Sequence, residues 1–194
     1  MGRKRREWIP HAYHHIYARG NNRQNIFCDS IDMMEVFRLL TMIHNESPIS
    51  ICAYCIMTNH YHLLLKTEEI SISKIMGIFN KRYTDYFNQK YRHVGHVFQQ
   101  RFNSSPIPSP QDLLQVSKYI HRNPISTKKP MVNKMEDYPY CSFQFYKRKR
   151  IPLYPFMNML DLPDSFILQS DKNTQHYCKY VEEVPEKEVD YNRV

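Results

Sequence analysis

Two short patterns in this chain hold residue types that can do chemistry. The first is His60-Tyr61-His62. On a strand successive side chains alternate between faces, so two histidines two apart point the same way, and their neutral imidazoles can share one ion. Leu63, Leu64 and Leu65 continue the segment as an apolar, rigid mount. The second pattern is Gln115, Tyr119 and Asn123, spaced i, i+4, i+8. On a helix these form one polar stripe, while Leu113, Val116 and Ile120 offer an apolar flank for docking. A helical tyrosine with an amide four residues on has the makings of a nucleophile beside a ligand. Read alone, each pattern also has a plainer meaning. The histidines would be a partly exposed sheet pair, and Tyr119 a surface tyrosine over a last turn that Asn123 ends before Pro124.

Other reactive residue types offer less. Cys52-Ala53-Tyr54-Cys55 has redox spacing, but it falls in a predicted strand, where i and i+3 point to opposite faces. No second cysteine pair completes a structural zinc site, so these read as packing cysteines. Four glycines leave no room for a Gly-rich phosphate loop. His14, His15, His93 and His96 read as surface or sheet residues. The aromatic residues of Tyr83-Thr84-Asp85-Tyr86-Phe87 read as helix core and edge.

The elements that must position these residues follow from periodicity and punctuation. Tyr13 to Ala18 is rich in aromatic and β-forming residues and stops at Arg19-Gly20-Asn21-Asn22-Arg23, a strand and a turn. Asp29 or Ser30 caps a helix over about Ile31 to Asn45, with Met33, Val36, Phe37, Leu40 and Ile43 at helical spacing. Ile49 to Met57 is a strand; a polar corner at Thr58-Asn59 leads into a second, His60 to Leu65, making a hairpin. Ser71 or Ser73 opens a helix to about Lys90, and Gly95 to Phe102 reads as a fourth strand. Ser109-Pro110-Gln111-Asp112 supplies an N-cap, a proline at the first helical position and an acid three residues after the cap. That helix must end near Asn123, because Pro124 disfavours helical geometry just before it. Strand, helix, strand, strand, helix, strand is the order of a ferredoxin-like α+β sandwich, a mostly antiparallel sheet with helices on one face. The third helix is an addition to it. Residues 1–9 form a basic arm, 10–146 the domain, and 147–194 a peripheral segment, basic then acidic.

Charge narrows the partner. The chain carries 27 Lys+Arg against 19 Asp+Glu, yet residues 1–160 hold 23 basic and 11 acidic side chains, a net +12. A basic body favours a polyanion, nucleic acid before an anionic membrane surface. The most apolar stretch, Ile49 to Met57, is too short to cross a bilayer, and Met1 to Arg6 lacks the apolar core of an export signal. Five cysteines without such a signal read as reduced thiols, so a cytoplasmic location is expected.

The patterns in series resemble a known family. Arg19-Gly20-Asn21-Asn22-Arg23, His60-Tyr61-His62-Leu63-Leu64, Gly95-His96-Val97-Phe98-Gln99-Gln100-Arg101-Phe102, Tyr119-Ile120-His121-Arg122-Asn123-Pro124 and Tyr138-Pro139-Tyr140-Cys141-Ser142-Phe143 resemble the IS200-like transposase domain. They are most similar to its REP-associated tyrosine transposase branch, among the HUH single-strand endonucleases. The resemblance implies that His60 and His62 are paired metal ligands, that Tyr119 is the nucleophile, and that Asn123 completes the metal site. It implies an active enzyme that nicks and rejoins single-stranded or hairpin DNA through a 5′-phosphotyrosine, leaving a free 3′-OH. Two imidazoles and an amide oxygen are a mixed N/O set suited to Mg²⁺ or Mn²⁺. Arg19, Arg23, Arg101, Lys118 and Arg122 are the expected backbone-holding residues. Whether monomer or homodimer works is open.

Two other readings compete. A non-catalytic nucleic-acid-binding module on the same scaffold lacks an RNP1-like stretch here, and has no use for His-x-His with Tyr-x-x-x-Asn. A zinc hydrolase built on His-x-His would want further ligands close by, and Leu63 to Leu65 supply none.

Overall fold

In the computed structural model, which describes residues 6–166 and 173–184, side-chain caps set the starts of the three long helices. The Asp29 carboxylate accepts the N–H of Asp32 and opens α1, Ser30–Glu46. The Ser71 hydroxyl accepts from Lys74 and opens α2, Ile72–Tyr91. Ser109 accepts from Asp112 with Pro110 at the first position, opening α3, Pro110–Arg122. Each bond satisfies one of the N–H groups a helix start leaves unpaired.

The strands are β1 (Tyr13–Arg19), β2 (Ile49–Ile56), β3 (His60–Thr67) and β4 (Asn103–Pro106), in the order β2-β3-β1-β4 with every neighbouring pair antiparallel. This is the ferredoxin-like α+β arrangement that the element order predicts. The register sets Tyr17 opposite His62 and Arg19 opposite His60 on one face, with Ile16 opposite Leu63 on the other. On that other face Ile16, Ala18, Tyr61, Leu63 and Leu65 pack with Val36, Leu40, Ile75 and Phe79 of α1 and α2. A wholly buried Asp32 ties the two helices together, accepting from the hydroxyls of Tyr86 and Tyr91 and from Lys90.

The histidine-bearing face is covered too. Leu113, Leu114, Val116 and Ile120 of α3 pack on Tyr13, Ala53, Cys55 and Leu64, each buried side chain contributing about 2 kcal/mol. Shorter helices complete this layer: α4 (Phe143–Arg148), α5 (Asp161–Asp164) and α6 (Asn173–Glu182).

Three features differ from the sequence expectation. The fourth strand is Asn103–Pro106, not Gly95 to Phe102. Val97 and Phe102 are buried there because they anchor a loop to the core, and only Phe98 makes a bridge, to Gly20. Cys52 and Cys55 share the α3 side, because a bulge between Ile51 and Ala53 shifts the alternation by one residue. The segment after residue 146, expected to be peripheral, buries Phe156, Leu162, Tyr177 and Val181. Residues 1–5 of the basic arm, and 167–172 and 185–194 of the C-terminal segment, lie outside the described residues. Among the described residues no helix is long and apolar enough to cross a membrane.

A buried polar network holds α3 at its height on the sheet. His121 has both ring nitrogens engaged, one with Ser142 Oγ at 2.8 Å and one with the Tyr177 hydroxyl at 2.7 Å. Ser142 Oγ also accepts the Tyr54 N–H of β2, and the Tyr177 hydroxyl donates to Ser117 of α3. Burial holds the His121 imidazole down to about 3, so it is neutral here. Satisfied networks of this kind specify one packing, because slipping any member strands a buried polar group.

Candidate active site

His60 and His62 emerge on the same face of β3, with ring centroids 5.0 Å apart and planes nearly perpendicular. His62 is fully buried and His60 partly exposed. Docking of α3 brings the half-buried Tyr119 over them, its ring 5.4 Å from His62 in an edge-on contact. One turn later Asn123 places Oδ1 3.2 Å from His60 Nε2. Asn123 keeps helical angles before Pro124, while its N–H bonds back to Ile120 instead of continuing the regular ladder. The Tyr119 carbonyl, freed from that ladder, accepts the Asn123 side-chain N–H at 2.9 Å, which turns the amide oxygen to the histidines. Gln115, first on the same stripe, is exposed.

Sequence reasoning passed over His15 and Asn59. The His15 ring lies nearly parallel to His62, with Nε2 3.0 Å from His62 Nδ1. Asn59 Oδ1 lies 2.7 Å from His60 Nδ1. The signal for His15 is its parity with Tyr17 on β1, which becomes informative only once the β1–β3 register is known.

All three histidines are neutral near pH 7. Burial, reinforced by the charge of Arg19 and opposed by the Asn123 bond, lowers His60 to about 4. Burial lowers His15 to about 4. Burial, then the neighbouring His60, His15 and Arg19, holds His62 well below the ordinary imidazole range. Neutral imidazoles offer lone pairs.

The donor set fits a hard divalent ion. His62 Nε2 is buried without a hydrogen-bond partner, and His60 Nε2 faces an amide oxygen. Among the described residues no three His, Cys, Asp or Glu side chains come together as a metal-binding group. An ion held there would take the Asn123 oxygen as its third protein donor, a poor choice for zinc and a good one for Mg²⁺ or Mn²⁺.

The expected DNA-holding residues divide. Arg19 ends β1 beside the histidines, Arg23 is exposed in the turn, and Arg101 is exposed along a cleft with Arg6, His96 and Gln99. Lys118 and Arg122 both contact α6 and its C-terminal end. Arg122 donates to the carbonyls of Val181, Glu182 and Glu183 at the C-terminus of α6, where the helix dipole favours a cation. Lys118 lies 4.4 Å over the Tyr180 ring.

Fold and site together define a ferredoxin-like α+β domain whose sheet presents paired neutral histidines to a helical tyrosine and amide. Residues 9–123 match the family described as Transposase IS200 like, and the chain belongs to that family. A Haemophilus influenzae protein assigned to the REP-associated tyrosine transposases is 32% identical over 120 residues, covering 56% of this chain and 65% of its own length. A solved REP-associated tyrosine transposase bound to a REP hairpin superposes with a TM-score of 0.65 at 18% identity, covering 82% of this chain and 93% of that one.

Proposed function

We propose that this protein is a metal-dependent tyrosine transposase that nicks and rejoins single-stranded or hairpin DNA through a 5′-phosphotyrosine intermediate. The observation that carries this reading is the convergence of Tyr119, His60, His62 and Asn123 within one chain. The similarity to a hairpin-bound tyrosine transposase supports DNA hairpins as the substrate class. Acting on DNA, it would work in the cytoplasm, bound to the nucleoid.

The Tyr119 oxygen attacks phosphorus, the P–O3′ bond breaks, the phenol proton leaves to water and the departing O3′ takes one up. A divalent ion held by His60, His62 and Asn123 would neutralise charge on the phosphoryl oxygens and ease departure of O3′. The covalent bond retains the phosphodiester's energy, so a second 3′-OH rejoins the strand without ATP. Docking by Leu113, Val116 and Ile120 and the His121 network keep the tyrosine at its height above the histidines, the positioning such a step requires. Arg19, paired opposite His60, would hold a strand phosphate.

The test is a labelled hairpin with a single-stranded flank, incubated with protein and Mn²⁺ and resolved on a denaturing gel. Wild type should give a covalent adduct. Tyr119→Phe keeps the ring and its packing and should give none, while still shifting the hairpin in a native gel. An adduct formed by Tyr119→Phe at the wild-type rate would refute the assignment.

A further inference from the structure

We propose that Asn59 and His15 are positioning residues that fix the tautomers of His60 and His62, so that both present Nε2 lone pairs towards the ion. The proposal rests on the metal-dependent reading above and extends it to two residues outside the Tyr-x-x-x-Asn and His-x-His patterns.

The proton count at His60 fixes its tautomer. A neutral imidazole carries one N–H, yet both its nitrogens face amide oxygens, Asn59 Oδ1 at 2.7 Å and Asn123 Oδ1 at 3.2 Å. Neither amide can be turned without loss. The Asn59 NH₂ donates to the Arg23 carbonyl and the Asn123 NH₂ to the Tyr119 carbonyl; a flip would set oxygen against oxygen. The proton belongs on Nδ1, at the shorter contact. His60 Nε2 and Asn123 Oδ1 are then two acceptors facing each other, an arrangement that a cation between them relieves.

At His62 the unpartnered nitrogen fixes the tautomer. Its Nδ1 meets His15 Nε2 at 3.0 Å, and its Nε2 is buried with no hydrogen-bond partner. If His15 were the donor, the His62 proton would sit on Nε2 as a buried N–H without an acceptor, which costs about 1–3 kcal/mol. With His62 donating from Nδ1, its proton is used and only a lone pair is left over. That lone pair is what a metal ligand offers.

Behind Asn59 stands the Arg19-Gly20-Asn21-Asn22-Arg23 turn. Its Asn22 and Arg23 have φ of 49° and 58°, the left-handed region, and this conformation accompanies the Arg23 carbonyl's bond to Asn59. The Gly20 N–H donates to the Asn59 carbonyl at 2.8 Å. The turn thus acts through Asn59 on His60, as outer-shell partners of metal-bound histidines do.

Long-range ¹H–¹⁵N spectra of metal-free, ring-labelled wild-type protein read the tautomers directly. Both His60 and His62 should be Nδ1–H; an Nε2–H signal for either overturns the assignment. Mn²⁺ titration followed by electron paramagnetic resonance gives the second readout. His15→Phe and Asn59→Ala should weaken binding about 10- to 100-fold, while His15→Gln, which keeps an acceptor, should stay close to wild type. Equal weakening in the acceptor-keeping and acceptor-free variants would mark a packing role and overturn the proposal. Wild-type protein that binds no Mn²⁺ would instead sink the metal-dependent function, and the spectra would still decide the tautomers.

Discussion

His60 Nε2 and Asn123 Oδ1 meet at 3.2 Å although 63 residues separate them in the chain. One projects from the sheet and the other from the last turn of a helix laid over it. The contact depends on three prior facts: the β2–β3 register, the docking of α3 by its apolar side, and the bond that ties the Asn123 amide back to Tyr119. Each can be perturbed separately.

Asn123→Ala removes the oxygen donor and leaves the sheet histidines in place. Removing outer-shell partners alone costs about 10- to 100-fold in metal affinity, so removing this ligand should lower Mn²⁺ affinity by at least about tenfold. Covalent adduct should fall in parallel at limiting Mn²⁺. Hairpin binding in EDTA should be unchanged, since affinity rests on phosphate contacts. An Asn123→Ala protein with wild-type Mn²⁺ affinity would remove Asn123 from the metal set.

Lys118 and Arg122 are expected from the sequence to hold phosphates, and in the structure both contact α6. Arg122→Ala should therefore lower the melting temperature while leaving the salt dependence of DNA binding unaltered. Arg19→Ala and Arg101→Ala should reduce the slope of log K against log salt by about 0.7–0.9 for each phosphate that is no longer neutralised. Hairpin titrations between low and physiological salt decide it: a slope reduced by Arg122→Ala would return that residue to the DNA interface.

Asp32 predicts the acid limb of stability. Burial alone would raise its carboxyl, but bonds from Lys90, Tyr91, the Cys28 N–H and Tyr86 outweigh that and hold it below the ordinary 3.8. Below 3.8 the unfolded chain therefore binds more protons than the folded one, so stability is present above that pH and lost as pH falls towards the folded value. Asp32→Asn should make this limb shallower in urea unfolding from about pH 7 to about pH 3, at a cost of about 3 kcal/mol at neutral pH. An unchanged acid limb would show that other carboxylates carry it.

Much of this was readable in the chain because it is local. Capping at Ser109 and Pro110 marks α3, and the two-residue period places His60 and His62 on one face whatever else the fold does. What was hidden depends on partners distant in sequence. His14 and His15 are adjacent, so they point to opposite faces, and only the pairing of Tyr17 with His62 tells which of them meets the site. Val97 and Phe98 look like strand residues because anchoring a loop to a core demands the same apolar types. Tyr177 lies in a segment rich in charge, and nothing local announces that its hydroxyl completes the His121 network. The bulge beside Cys52 is likewise a property of the pairing.

Gly20 offers the sharpest test of how far the site extends. Its φ of −58° is open to any residue, so glycine is not required for its conformational freedom. It is required for space: a Cβ would sit 2.3 Å from the Gln24 carbonyl oxygen and 2.9 Å from Ile26 Cγ2. The nearest obstacle is backbone, which cannot rotate aside as a long side chain does, so the turn itself must move. That turn donates the Gly20 N–H to Asn59 and supplies the Arg23 carbonyl that orients the Asn59 amide. Gly20→Ala should thus cost on the order of 1–3 kcal/mol in stability, the usual range for forced overpacking. It should also weaken Mn²⁺ binding about tenfold, in the range seen when an outer-shell partner is removed, although residue 20 touches no ligand. Urea unfolding and Mn²⁺ titration of the same preparation measure both. A variant that loses stability but binds Mn²⁺ as wild type does would confine the turn to a structural role and cut its link to His60.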